Sequence, residues 1–147
     1  MSQNIIQQAA VFCKEQGHRY TEPRAHVLKI LSAAGVPLGA YDILKELSKK
    51  LPSPKPPTVY RAIQFWQTHG FIHCIESQKT YVACSGNHSH TGTQFLVCEH
   101  CGDTKELSFP EDSSIFLRQA KRHEFTLSFW TTELRGTCKK CRKKLPL

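Results

Sequence analysis

Residues 56–84 read PPTVYRAIQFWQTHGFIHCIESQKTYVAC, and this stretch decides the fold of the first half of the chain. Its first part predicts a helix that begins at Pro57 or Thr58 and ends near Gly70, because proline is favoured at the first helical position. Two predicted strands follow, Phe71–Glu76 and Tyr81–Cys84, and residues 77–80 form the loop of a hairpin between them.

The predicted helix has one apolar face and one polar face. The apolar face consists of Val59, Ala62, Ile63 and Trp66. Arg61, Gln64 and Thr68 lie opposite, with Tyr60 at the margin. Because arginine can bond a guanine edge and glutamine an adenine edge, Tyr60, Arg61 and Gln64 are candidate DNA-binding residues in a major groove. The alternative is an ordinary solvated helix face.

Three further helices are predicted before this stretch, over residues 2–16, from Glu22 to a cap at Gly35, and from Tyr41 to Leu51. Helices followed by a hairpin are typical of a winged helix-turn-helix domain. We therefore predict an N-terminal winged helix-turn-helix domain, residues 1–84, that binds DNA.

The remainder of the chain predicts a hinge and a second domain. Residues 85–92 are the hinge, because they are rich in Gly, Ser, Asn and His. Residues 93–147 form a small C-terminal α/β domain, which makes the fold class α+β. Its predicted elements are strands Thr93–Val97 and Thr104–Phe109, a helix capped by Asp112 or Ser113 that ends near Arg122, and a strand Phe125–Leu134.

Two Cys-x-x-Cys motifs, Cys98–Cys101 and Cys138–Cys141, predict a structural zinc site in this second domain. Four thiolates close a tetrahedral zinc shell and leave no open coordination position. The alternative is a pair of thioredoxin-like redox motifs. Such motifs begin a helix in a βαβ unit, whereas a strand and a basic tail flank the motifs in our prediction.

A second candidate metal site begins in the hairpin. With residues 77–80 as the loop, His73 lies directly opposite Cys84, and paired residues have Cβ atoms ~5 Å apart on one face. Further candidate ligands follow in the chain: His88, His90 and Glu106. Together these side chains predict a regulatory zinc site that draws on both domains and the hinge. The alternative is that His73 and Cys84 fill the hairpin core and the hinge histidines are solvated.

Composition adds a basic balance and no membrane segment. The formal net charge is +8, which favours a polyanionic partner such as DNA. No apolar run approaches the ~20 residues that span a bilayer, and the first residues do not have the pattern of a secretion signal. We therefore expect a soluble, cytoplasmic protein with no membrane partner.

These features together resemble the ferric-uptake-regulator (Fur) family of bacterial metal-responsive repressors, nearest its zinc-uptake-regulator branch. The Pro-Pro-Thr-Val-Tyr-Arg-Ala stretch ahead of paired Cys-x-x-Cys motifs is highly specific to that family. The stretches that carry the resemblance are Thr21-Glu22-Pro23-Arg24, Ala40-Tyr41-Asp42-Ile43-Leu44, Lys55-Pro56-Pro57-Thr58-Val59-Tyr60-Arg61-Ala62, Gly70-Phe71-Ile72-His73 and Cys98-Glu99-His100-Cys101-Gly102.

The resemblance implies a repressor that binds double-stranded operator DNA as a symmetric homodimer, with zinc as corepressor. Tyr41 and Arg61, with Tyr60 beside them, match DNA-contacting positions. The positions that match the regulatory zinc site are His73, Cys84, a hinge histidine and Glu106. His90 is our third ligand, with His88 as the alternate. His88-Ser89-His90 stands where iron and peroxide sensors have His-His-Asp-His, and the soft Cys84 ligand favours zinc over iron.

The predicted function is a zinc-responsive transcriptional repressor of zinc-uptake genes, with two Zn²⁺ per chain and no other small-molecule substrate. One alternative is a sensor of another divalent metal in the same family. Another is a constitutive zinc-ribbon adaptor that binds protein or RNA. A zinc hydrolase would need an open coordination position and a general base, and the four candidate ligands leave none, so we predict no enzyme.

Overall fold

The computed structural model describes residues 2–85, 92–107 and 115–146, with the side chains of residues 2–4 left aside. The chain divides into two compact units, Met1–Cys84 and Ser85–Leu147. No helix within the described ranges is long and apolar enough to cross a bilayer.

The first unit consists of four helices and a hairpin. The elements are α1 Ser2–Gln16, α2 Glu22–Ala34, α3 Ala40–Leu47, α4 Pro56–Thr68, β1 Ile72–Ile75 and β2 Thr80–Ala83. Helix α2 begins where the Thr21 side chain accepts a hydrogen bond from the Arg24 amide, and it ends at Gly35 with a φ of 67°. Both ends agree with the prediction, because these caps are local chemistry that the sequence displays.

The core of the first unit lies between α2 and α4. Val27 and Leu28 of α2 and Val59 and Trp66 of α4 are almost completely buried. Each such side chain contributes about 1.5–3 kcal/mol on burial. The Trp66 indole N–H also donates to the Arg24 carbonyl at 2.9 Å, which fixes the rotation of α4 and turns its polar face outward.

Helix α3 is shorter than predicted and ends at Leu47 rather than Leu51. The amides of Lys49 and Lys50 bond carbonyls three residues back, and the Ser48 hydroxyl bonds the Leu44 carbonyl at 2.8 Å. This tight turn replaces the helical pattern, although Leu51 still packs against the core. Helix α4 begins at Pro56, slightly earlier than predicted.

A third segment joins the hairpin. Leu38 pairs with Tyr81 of β2 through two backbone hydrogen bonds of 3.0 and 2.8 Å. The bridge ties the hairpin to the loop that precedes α3. This bridge could not be predicted from the sequence, because a single paired residue in a loop has no periodic pattern.

The described residues of the second unit form a three-stranded mixed sheet and two helices. The elements are β3 Gly92–Cys98, β4 Thr104–Leu107, α5 Ile115–Arg122, β5 Trp130–Gly136 and α6 Lys139–Arg142. The strand order is β4-β3-β5, with β4 antiparallel and β5 parallel to β3. The predicted caps Asp112 and Ser113, and the strand end at Phe109, lie outside the described residues.

Two predictions for the second unit are wrong. The last strand begins at Trp130 rather than Phe125, because Glu124 adopts a φ of 52° and the Phe125 amide bonds the Ala120 carbonyl at 2.9 Å. The basic tail after Cys138 forms helix α6, where a frayed tail was expected. Both features depend on backbone hydrogen bonds that apolar periodicity does not report.

Gly92 allows the sheet to accommodate Trp130, its partner in the parallel register. A Cβ atom at Gly92 would lie 1.8 Å from the Trp130 indole, so no other residue fits without rearrangement. The indole also contacts Phe116 of α5, at 4.8 Å between ring centroids.

Candidate metal centres and nucleic-acid face

The four predicted zinc ligands come together in the second unit. The Sγ atoms of Cys98, Cys101, Cys138 and Cys141 all lie within 4.8 Å of one another. Cys98 ends β3, and Cys138 caps α6. The chain turns sharply over Cys98–Gly102, with a bond from the Gly102 amide to the Cys98 carbonyl and a φ of 74° at Gly102, just after the second ligand.

If all four cysteines are deprotonated, the cluster needs a compensating cation. The Cys138 backbone N–H donates to Cys98 Sγ at 3.4 Å. This bond, with help from the Cys101 amide, lowers the pKa of the Cys98 thiol to about 6. The neighbouring side chains of Cys101 and Cys138 raise the pKa of Cys141 to about 12. Four thiolates therefore do not coexist here without a compensating positive charge.

The donor set fits zinc better than redox chemistry. Soft sulfur ligands in a closed set of four are typical of structural Zn²⁺. The Sγ atoms of Cys101 and Cys138 lie 3.8 Å apart, well beyond the roughly 2.05 Å of a disulfide, and no disulfide joins any of the described cysteines. Both motifs converge on one centre, so the cluster is a candidate zinc site.

His73 and Cys84 are brought together in the first unit, although the predicted register is wrong. His73 faces Val82 rather than Cys84, and the Cys84 amide bonds the Phe71 carbonyl at 2.9 Å. The turn begins after Ile75, because Lys79 adopts a φ of 52°. Residues displaced by two positions across a ladder share a face. A His73 ring nitrogen and Cys84 Sγ therefore still lie within 4.8 Å of each other, and both residues are buried.

Glu106 lies on β4 of the second unit, opposite Phe95. Its Oε2 atom accepts hydrogen bonds from the Ser85 backbone N–H at 3.0 Å and the Ser85 hydroxyl at 2.9 Å. The remaining predicted ligands of this site, His88 and His90, lie outside the described residues.

The predicted DNA-binding residues lie on exposed surfaces of the first unit. Arg61 and Gln64 are exposed on α4, and the side chain of Tyr60 is 49% exposed. Tyr41, in the first turn of α3, is 78% exposed. Within the described residues the side chain of Arg61 has neither a hydrogen bond nor an ion pair. Its guanidinium therefore remains available to an external acceptor.

The Ferric uptake regulator family model matches residues 15–134 of the chain. The chain belongs to this family. It is 34% identical over 142 residues to the zinc uptake regulation protein of Escherichia coli K12, an alignment that covers 95% of this chain and 82% of the relative. The resemblance predicted from the sequence is therefore confirmed.

Solved structures of zinc uptake regulators share the fold of this family member. One is described as a zinc uptake regulator complexed with zinc and DNA. It is 33% identical, has a TM-score of 0.85, and the match covers 98% of this chain and 97% of the other. Holo XcZur is 34% identical with a TM-score of 0.81, over 95% of this chain and 98% of the other.

Sequence reasoning missed Ser85 among the functional candidates of this Fur-family chain. Its partner Glu106 lies on a distant strand, so no local spacing connects the two residues. The only available signal was its place directly after the candidate ligand Cys84.

Proposed function

We propose that this chain is a zinc-responsive transcriptional repressor of the zinc-uptake branch, which binds operator DNA as a homodimer and controls zinc-uptake genes. The observation that carries this proposal is the buried His73–Cys84 pair. The soft Cys84 thiolate beside the His73 imidazole favours zinc over iron. They lie in the same unit as the exposed polar face of α4. The E. coli relative and the zinc–DNA complex support the assignment.

Two zinc ions per chain have different tasks in this proposal. Structural zinc is bound by the four-cysteine cluster. Regulatory zinc is bound by His73, Cys84, Glu106 and His90, with His88 as the alternate to His90. All four positions are then filled by protein, so the site has no place for substrate and the protein is not an enzyme. The protein works in the cytoplasm.

Regulation follows from where these ligands lie along the chain. We assign residues 1–84 to DNA binding, 85–92 to a hinge and 93–147 to dimerisation. Regulatory zinc links ligands from the three segments and favours the arrangement in which two α4 helices enter successive major grooves, ~34 Å apart. Zinc then raises DNA affinity only by its differential binding to that arrangement.

Two exposed leucines support dimerisation through the second unit. Leu96 of β3 and Leu134 of β5 pair in the parallel register and are 42% and 44% exposed. Adjacent apolar side chains on the open face of a sheet indicate a surface that another protein covers. In a twofold-symmetric dimer, this leucine pair of one chain would pack against the same surface of the second copy.

Metal stoichiometry tests the proposed function. We expect one zinc per chain that resists a mild chelator and one that exchanges, because only the four-cysteine site is closed by soft ligands within one unit. Elemental analysis before and after chelation measures both. DNA binding titrated against free zinc, with iron and manganese as controls, should respond to zinc. A single tightly held zinc would favour the adaptor, and a response to iron or manganese would favour another metal.

Arg61→Ala should weaken binding to the cognate operator by roughly 1–3 kcal/mol and binding to random DNA by less. The reason is that an arginine on the exposed face of α4 can bond a base edge as well as a phosphate. Fluorescence anisotropy on both DNAs measures the difference. Lys29→Ala is the matched control, because it removes one exposed positive charge from α2 of the same unit. Equal losses on both DNAs would make Arg61 a phosphate contact.

A further inference from the structure

Ser85 donates two hydrogen bonds to a single oxygen of Glu106. The backbone N–H lies 3.0 Å and the hydroxyl 2.9 Å from Oε2. Two donors from one residue restrain both the side-chain rotamer and the plane of a carboxylate. Glu106 is half-buried on β4, so its orientation is defined by the strand at one end and by Ser85 at the other.

The position of Ser85 in the chain connects this contact to the candidate ligand Cys84. Ser85 directly follows Cys84, the buried thiol beside His73. Any displacement of the Cys84 backbone therefore moves the donors that orient Glu106. Residues that bond to metal ligands in this way orient them, and their loss typically lowers metal affinity 10–100-fold.

We propose that Ser85 is a positioning residue of the regulatory zinc site, which holds Glu106 so that coordination occurs through Oε1. The inference rests on the proposed function, in which Glu106 and Cys84 bind the same ion. With two donors on Oε2, a carboxylate favours binding a cation through its other oxygen. Ser85 thus selects one-oxygen coordination, as a four-coordinate zinc site requires.

The test compares Ser85→Thr with Ser85→Val, two variants of nearly equal shape that differ in the hydroxyl. Zinc affinity of the exchangeable site is measured by competition with a chromophoric chelator. Thr should stay near wild type, and Val should lose about tenfold, because the backbone donor remains. Ser128→Ala, another exposed serine of the second unit, should change nothing. Equal affinities for Thr and Val would overturn the proposal.

A second readout separates positioning from a general effect on the fold. Cobalt(II) in the exchangeable site should keep its thiolate charge-transfer band in Ser85→Val, while its ligand-field bands shift with the changed carboxylate geometry. In a Glu106→Ala background, Ser85→Val should have no further effect on affinity. A tenfold loss that persists without Glu106 would show that Ser85 acts elsewhere and would overturn the proposal.

The same experiment distinguishes failure of this inference from failure of the proposed function. If the wild-type chain has no exchangeable zinc, both are overturned. If the wild-type chain has one, and Ser85→Val binds it as tightly, only the role of Ser85 is overturned. The zinc content of the four-cysteine cluster, expected at one per chain in every variant, confirms that the second unit remains folded.

Discussion

Cys84→Ser is expected to abolish the zinc response of operator binding and to leave the fold intact. The substitution replaces a soft thiolate with a hydroxyl that binds zinc poorly at neutral pH. Loss of a direct ligand should exceed the roughly 10–100-fold drop in affinity that outer-shell changes cause. The exchanged atoms are similar in size, so the free energy of unfolding should fall by only about 1 kcal/mol.

A gel-shift titration of operator DNA against free zinc measures this effect. Cys13→Ser is the matched control, because Cys13 is equally buried in the first unit and belongs to neither ligand cluster. We expect it to respond to zinc like the wild type. A Cys84→Ser protein that still binds DNA in a zinc-dependent way would remove Cys84 from the regulatory site.

Cys101→Ser should unfold the second unit. Its apolar core is small, since Phe95 and Val97 are buried whereas helix α5 has no buried residue. Small units of this kind depend on cross-links such as disulfides or metal sites. Zinc binding at a structural site contributes an apparent ~10–16 kcal/mol to the folding free energy. Removing one of the four thiolates should remove much of this stabilising free energy. The first unit has its own core between α2 and α4 and should remain folded.

Amide hydrogen exchange followed by mass spectrometry resolves the two units in the intact chain. Peptides that cover β3 and β5 should lose their protection in Cys101→Ser, while peptides from α2 and α4 keep theirs. Cys74→Ser is the control, because it removes a half-buried thiol that lies in neither ligand cluster. A normal thermal melt with protected β3 and β5 would contradict a structural role for the four-cysteine cluster.

The helices of the first unit could be predicted because their signals are local. Thr21 and Gly35 mark the ends of α2, and the spacing of Val59 and Trp66 identifies the buried face of α4. The hairpin register could not be predicted in the same way. It depends on Lys79 adopting a left-handed conformation that glycine usually provides, so the sequence pattern placed the turn too late.

Long-range contacts limited the prediction of the second unit and of the sites. The parallel pairing of β3 with β5 joins residues far apart in the chain, and no pattern within β5 specifies its direction. The convergence of the four cysteines could be predicted because paired Cys-x-x-Cys spacing is typical of zinc sites. Cys84 and His73 are diagonal neighbours across the hairpin rather than direct partners. They therefore lie close together, as predicted, although the predicted register was wrong.

The bridge between Leu38 and Tyr81 has a mechanical consequence for the first unit. Tyr81 stands three residues before Cys84, and Leu38 stands three residues before Tyr41. A displacement of β2 would therefore be transmitted through two backbone hydrogen bonds to the segment that precedes α3. We therefore expect the proposed zinc binding at Cys84 to affect the position of Tyr41 through this bridge, by a route that does not include α4.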